Sequence, residues 1–336
     1  MADEIRIGLV GMGGIMRGHV RDLAAIPEVK VVALMDPDAG HQANHKKEFP
    51  HLADAAEYDD YQAMLDGADL TGVVIASPHT LHFEQIAAAL DRGVHVLVEK
   101  PLVCRMDHAR EIVRKVRKTG LVLVIGYQRH YGGAYRYIRR AVAAGEIGRI
   151  EMVAGFQAQG WKVCTAGSWR QRPELSGGGQ LNDSGSHLID ILLWMTGLQA
   201  ETVSAQIDNC GTPVDINSAL SIRFAGGAIG TLTILGDHPA PGMWEDITIT
   251  GERGGFYLRQ GQPLVQFAGC GEASLTVNAD SLGGGSISRN FIRCIQGTEE
   301  PAAPVECGLR VIELTEAAWK SAAAGGKPVT VPRTEL

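Results

Sequence analysis

The 336-residue chain contains no apolar run approaching the roughly eighteen residues of a membrane span. It has no excess of positive charge: 31 Lys and Arg stand against 38 Asp and Glu, a formal net charge of −7. That balance excludes nucleic acid or an anionic membrane as the main partner. The six cysteines, Cys104, Cys164, Cys210, Cys270, Cys294 and Cys307, form no C-x-x-C pair and no Cys/His cluster at zinc spacing. Neither a disulfide framework nor a metal site is expected, and the thiols read as reduced in a cytoplasmic protein. The opening MADEIRIGLVG is acidic and leads straight into a strand, unlike a signal peptide. No internal repeat or low-complexity tract occurs.

Hydrophobic residues make up 45% of the chain and charged residues 21%, as in globular proteins. The length exceeds one ordinary domain, so two are expected.

Ile5 to Val10 reads as a short apolar strand running into GMGGIMRGH, Gly11 to His19. A helical pattern follows, then a second strand, Val29 to Met35, ending at Asp36. Strand, glycine turn, helix, strand, acid is the dinucleotide-binding order. The turn's amides and the helix N-terminus suit a pyrophosphate. Asp36 can accept both adenosine ribose hydroxyls and repels a 2′-phosphate, favouring NAD over NADP. The third glycine of the fingerprint falls at Met16, whose side chain must push the helix outward or turn aside.

The alternation continues. His41 to Glu48, Tyr61 to Leu65, Leu81 to Asp91 and Arg110 to Lys118 read as helices; Leu70 to Ala76, Val94 to Val98 and Leu121 to Ile125 read as strands. This predicts a doubly wound parallel sheet, with ligands at the strands' carboxyl ends. Gly11, Asp36, Ser77, Lys100 and Gly126 sit at such ends. Lys100 can donate to a substrate oxygen there; from its spacing alone, a Lys–Glu pair at the domain surface is the better account.

The run Ser176 to Gly197, SGGGQLNDSGSHLIDILLWMTG, sets three glycines before a helical pattern. Asn182 or Asp183 can cap its start, and Gly197 can stop it. On such a helix Asp183 and His187 share a face, and the carboxylate can orient the imidazole as a general base. The glycines leave room for a ligand. A capped helix with one satisfied histidine fits the same spacing.

Glu151 to Gln159 begins a second set of strands, continued by Thr202 to Ile207, Ser218 to Phe224, Ala228 to Leu235, Asp246 to Thr250 and Gly255 to Leu258. Gly226-Gly227 reads as a hairpin turn. Trp161, Trp169 and Arg170 in the intervening loop suit polyol recognition, or one packed Trp in a surface loop. Trp244 and His238 lie between strands. Cys307 to Ala323 reads as a closing helix, and Gly325 to Leu336 as a tail.

GMGGIMRGH, GVHVLVEKPL and SGGGQLNDSGSHLID, together with SPHTLHFEQIAAALDRG, make the chain resemble the Gfo/Idh/MocA family, which includes glucose–fructose oxidoreductase and inositol dehydrogenase. The resemblance runs from Ile5 to about Gly236. It implies a Rossmann domain, here 1–126, followed by an α/β domain, 127–336, with a large open antiparallel sheet. It implies Lys100, Asp183 and His187 as catalytic residues. The implied cofactor set is Gly11, Gly13, Gly14, Ile15, Met16, Asp36, Ser77, Pro78, His82, Glu99, Lys100, Arg129, Trp169 and Arg170, with no metal.

These readings converge on an NAD-dependent oxidoreductase acting on a secondary alcohol of a sugar, cyclitol or sugar acid. His187, oriented by Asp183, takes the hydroxyl proton and Lys100 stabilises the oxygen, although the two roles can be exchanged. An open sheet face predicts a homo-oligomer, a dimer or tetramer. The alternatives are an NAD-using glycosidase of the same fold, a non-catalytic NAD-binding regulator, and an NADPH-preferring reductase, which Asp36 disfavours.

Overall fold

The computed structural model describes residues 4–269, 271–277, 280–282 and 284–334. The first three residues, Cys270 and the last two residues of the expected tail lie outside them. The chain divides into two compact units: residues 1–103, 107–127 and 285–308 form the first, and residues 104–106, 128–284 and 309–336 the second.

The first unit holds a six-stranded sheet built from β1 (Ile5–Val10), β2 (Val29–Met35), β3 (Ala56–Tyr58), β4 (Gly72–Ile75), β5 (His95–Val98) and β6 (Leu123–Ile125). Their order is β3-β2-β1-β4-β5-β6, and every pairing is parallel. All four residues of β4 and all three of β6 are buried, as parallel strands covered on both faces require. The doubly wound expectation holds. The three-residue β3, too short and polar for a strand pattern, completes the edge.

Helix ends follow from local chemistry. Asp38 caps the helix Ala39–Glu48 by accepting from the Gly40 N–H, and Asp60 caps Tyr61–Gly67 by accepting from Ala63. The first of these helices therefore starts two residues earlier than its apolar pattern suggests. Helix Met106–Thr119 buries Ala109, Ile112 and Val113, one stripe at helical spacing.

The first unit does not end at residue 126. Helix Ile287–Ile295, which the sequence reading leaves out, returns to it. Phe291 and Ile292 join the core formed by Ile7, Leu9, Met12, Met16 and Leu34. Gly72 is small because the Phe291 ring lies 3.0 Å from where its Cβ would be. Contiguous sequence cannot show this, because the apolar face of that helix has no neighbour within its own stretch of chain.

The second unit is a nine-stranded sheet: β7 (Ile150–Gln159), β8 (Ala200–Asp208), β9 (Asn217–Phe224), β10 (Ile229–Leu235), β11 (Met243–Gly251), β12 (Gly254–Arg259), β13 (Leu264–Ala268), β14 (Gly271–Leu275) and β15 (Val329–Thr330). The order is β14-β13-β12-β11-β7-β10-β9-β8-β15. Gly226 and Gly227, with φ of +82° and +93°, form the β9–β10 hairpin as expected. The sheet is mostly antiparallel, with one correction: β7 and β10 pair in parallel at its centre. The tail is also corrected: Val329 and Thr330 pair with β8, and Glu313 accepts from the Thr334 amide and hydroxyl.

Helix Gly185–Thr196 covers one face of this sheet. Gly155 of β7 admits it: a Cβ there would meet Leu188 at 3.3 Å and Leu232 at 2.7 Å. On the other face, β9 and β10 alternate strictly between exposed and buried positions, leaving Ala219, Ser221, Arg223, Thr231 and Thr233 outward.

Candidate active site

The first unit's site is the glycine turn after β1. Gly11 has φ +81°, and a Cβ there would lie 2.7 Å from the backbone of Ala76 and Ser77, so the strand-end crossing admits glycine alone. Gly13 and Gly14 differ: a Cβ on either would meet nothing within 4 Å. That open backbone leads into helix Met16–Ala24, whose N-terminus has no side-chain cap and no acidic residue in its first turn. Amide donors facing open space at a helix start fit a pyrophosphate.

Ile15 is 53% exposed over the turn, whereas Met16 is fully buried in the core. Its side chain fills the interface between helix and sheet, where the fingerprint's third glycine would leave space. Met16 can therefore meet a cofactor only through its backbone. Asp36 ends β2 as expected. One carboxylate oxygen accepts from the Met12 amide at 2.7 Å, and the other from the Asp38 amide at 2.9 Å, with the His41 ring at 3.2 Å. The acid thus fixes the glycine turn; a carboxylate's remaining lone pairs still suffice for ribose hydroxyls.

At the ends of β4 and β5, the Ser77 hydroxyl donates to Gln85 at 2.5 Å. His82 is fully buried, with its ring nitrogens 2.8 Å from the Pro101 carbonyl and 3.1 Å from the Ser77 carbonyl. Burial holds its pKa below the usual histidine value. The ring ties two strand-end loops together, each nitrogen lying against a backbone carbonyl. Pro78 lies in the first of these loops. Glu99 is paired to His19 at 3.0 Å, and the other His19 nitrogen meets the Ser288 hydroxyl at 3.1 Å. Burial alone would raise the Glu99 carboxyl; the His19 bond and the charges of His19 and Lys100 hold it below the usual range. Lys100 follows directly, and its amide donates to Glu99 at 3.3 Å.

The second unit's site surrounds the start of helix Gly185–Thr196. Here the helix begins later than expected: Ser184 occupies the cap position, and Asn182 and Asp183 belong to the preceding turn. Asp183 is nearly buried. Its Oδ2 accepts from the Trp161 indole at 2.9 Å and from the Arg170 Nε at 3.1 Å. His187 lies in the first helical turn, also buried. Two of the glycines before them, Gly178 and Gly179, are closed in by protein atoms. A Cβ on Gly178 would strike the Trp319 ring at 2.6 Å, and one on Gly179 the Asp215 carbonyl oxygen at 2.0 Å. They permit close packing of the chain on itself.

Trp161 is 4% exposed and packs on Val214 and Ile216, so it is a buried prop for Asp183 rather than a stacking platform. Arg170 lies over the Trp169 ring, 4.5 Å from its centre. Arg129, expected at the cofactor, lies in the second unit as a buried ion pair with Glu245 at 2.6 Å. Tyr135 donates to the same carboxylate at 3.3 Å. Burial raises the Glu245 carboxyl, Arg129 pulls it back, and burial pushes Tyr135 up to about 12. A guanidinium this deeply desolvated needs its carboxylate. Trp244 is 45% exposed on the sheet, next in sequence to the inward Glu245 and so on the opposite face.

Sequence reasoning missed Trp319 and Asp215 as partners of the glycine run, and Trp161 as the partner of Asp183. The available signal was an acid set between two apolar residues, Val214-Asp215-Ile216.

A glycine turn after β1 in one unit, and a buried Asp183 one helical turn before His187 in the other, are the features of an NAD-linked oxidoreductase. The chain belongs to the Gfo/Idh/MocA family: residues 5–127 match its oxidoreductase model with an NAD-binding Rossmann fold, and residues 135–257 match its C-terminal domain. It is 25% identical over 305 residues to levoglucosan dehydrogenase of Pseudarthrobacter phenanthrenivorans, covering 79% of this chain and 77% of that one. It is 27% identical over 237 residues to scyllo-inositol 2-dehydrogenase (NAD(+)) of Bacillus subtilis, covering 68% and 67%. Its fold superposes on the WlbA dehydrogenase from Bordetella pertussis, solved with NADH and UDP-GlcNAcA, with a TM-score of 0.87 at 23% identity over 99% of both chains.

Proposed function

We propose that the protein oxidises a secondary alcohol of a sugar, cyclitol or sugar acid with NAD, or runs the reverse reduction. The observation that carries this reading is the Asp183 carboxylate, buried beside the His187 helical turn and held by Trp161 and Arg170. A fixed carboxylate one helical turn from an imidazole can orient the ring as a base that accepts a hydroxyl proton.

His187 takes the proton as the alcohol becomes a carbonyl. The Lys100 ammonium stabilises negative charge developing on that oxygen. The nicotinamide, when bound, supplies the two-electron acceptor. Gly13, Gly14 and the bare helix start at Met16 would hold the pyrophosphate, and Asp36 the adenosine ribose. Asp36 also supports NAD over NADP, since its carboxylate repels a 2′-phosphate. Contacts from Ile15, Ser77, Pro78, Glu99, Trp169 and Arg170 to the cofactor belong to the same proposal.

The open sheet face supports a homo-oligomer. Met152 and Ile229, register partners on it, are 43% and 45% exposed. Light scattering tests this, and a monomer at micromolar concentration overturns it. No disulfide joins the five described cysteines, and the reading places the protein in the cytoplasm.

The function is tested by screening sugars, cyclitols and sugar acids with NAD and NADP while following absorbance of the reduced cofactor. His187→Ala should lower kcat by about 100-fold or more with NAD affinity retained. Unchanged turnover in that variant removes the assignment.

A further inference from the structure

We propose that Asp215 is the positioning residue for the Asp183 carboxylate. The inference rests on reading Asp183 and His187 as the acid–base pair. Asp215 is 7% exposed and enters between β8 and β9. Three successive amides of the glycine run end on it. The Gly179 N–H donates to its Oδ1 at 2.9 Å, the Gln180 N–H to its carbonyl at 2.8 Å and the Leu181 N–H to its Oδ2 at 2.7 Å. The Trp319 indole adds a fourth donor, to Oδ1 at 3.1 Å.

Every group facing the carboxylate in these bonds is an N–H. Burial pushes the Asp215 carboxyl up, and these N–H bonds, which suit an accepting carboxylate, pull it back. The glycines are shaped to this grip. Gly179 lies so close to the Asp215 carbonyl that no side chain fits, and Gly178 lies against the Trp319 ring. The turn cannot slide without breaking several of these contacts together.

Asp215 also acts from a second direction. Its neighbours Val214 and Ile216 pack on Trp161, whose indole donates to Asp183. One three-residue segment therefore fixes both the turn that carries Asp183 and the ring that binds its carboxylate. The turn is closed onward by the Asp183 amide donating to Gly179 and the Ser186 hydroxyl donating to the Asp183 carbonyl. Displacement at Asp215 reaches Asp183 along both routes. A misplacement of about 1 Å at a reacting group is enough to cost on the order of 100-fold in rate.

The test uses the full-length protein carrying Asp215→Asn, with Trp319→Phe as the milder variant should the first not fold. One readout needs no substrate: exchange of the Trp161 indole proton, followed in protein labelled with 15N tryptophan and assigned with Trp161→Phe. The expected result is Trp161 exchange at least about tenfold faster, with the Trp194 indole unchanged. The second readout is cofactor reduction with myo-inositol, levoglucosan and D-glucose. There kcat should fall about 10- to 100-fold for Asp215→Asn and about threefold for Trp319→Phe, with KM for NAD within about threefold of the parent. Unchanged Trp161 exchange, in Trp319→Phe if Asp215→Asn does not fold, overturns the proposal. So does faster exchange with parental kcat in a protein that His187→Ala inactivates. If His187→Ala keeps parental turnover, the acid–base reading fails, and the exchange data alone decide whether Asp215 places Asp183.

Discussion

Trp161 and Asp183 are joined by an indole-to-carboxylate hydrogen bond of 2.9 Å between two nearly buried side chains. The bond gives a carboxylate expected to act on an imidazole a fixed direction. Trp161→Phe keeps the packing on Val214 and Ile216 and removes the donor. It should cost about 1.5–3 kcal/mol of stability, since the lost hydrogen bond goes to a buried carboxylate. Turnover should fall about tenfold with NAD affinity unchanged. Steady-state kinetics beside thermal melts check this; equal losses of kcat and NAD affinity contradict it.

Gly11 and Gly14 separate folding from binding. Gly11→Ala places a Cβ 2.7 Å from backbone at φ +81°, so about 1–3 kcal/mol of strain adds to a clash. The variant should melt lower and lose NAD. Gly14→Ala meets no protein atom within 4 Å, so its melting temperature should match the parent. Loss of NAD affinity there, measured by calorimetry, reports a Cβ pressing on the cofactor. Parental affinity argues against a ligand over that turn.

Asp36 does two things that one substitution can tell apart. Asp36→Ser removes the charge that disfavours a 2′-phosphate and loses one of the bonds to Met12 and Asp38. KM for NAD should rise about tenfold while NADP use improves. A melting temperature lower by a few degrees should accompany this. Unchanged cofactor preference rejects the ribose role.

Glu99 sets an acid limit for the first unit. Its folded carboxyl is held below the ordinary value, against the pull of burial, by His19 and Lys100. A depressed folded pKa contributes stability that is present above the unfolded value, about 4.3, and lost as pH falls through the folded one. Melting temperature should therefore drop as pH goes below about 4.5. Glu99→Gln should flatten that slope while lowering the melting temperature near pH 7. A steeper acid slope in Glu99→Gln is the opposite of this expectation.

The parallel sheet was legible because β1, β4 and β5 are largely apolar runs soon followed by Gly11, Ser77 and Glu99, and strand ends are where such sheets bind ligands. Lys100 and Asp36 follow from that rule. The start of the His187 helix was misplaced because Asp183 looks like a cap. Capping is local, whereas this carboxylate is claimed by Trp161 and Arg170 from another loop. The partners of Met16, His82 and Arg129 were hidden for a related reason. A motif gives a residue's position along the chain, and burial decides whether its side chain faces the core, a carbonyl or an ion partner. Asp215 lay outside every motif, since its role exists only once the glycine run has folded onto it.

Helix Ile287–Ile295 seals the first unit from far along the chain, and this has a consequence for synthesis. On the ribosome, the six parallel strands emerge more than one hundred and fifty residues before the helix that buries Phe291 beside Gly72 and Ile7. Until then the nascent sheet lacks one of its walls, and the second unit's strands are made while that seam is open. Synthesis of that helix, rather than the end of the nucleotide-binding sequence, marks when the first unit can reach full stability. A fragment ending at residue 127 should accordingly bind chaperones that recognise apolar surface.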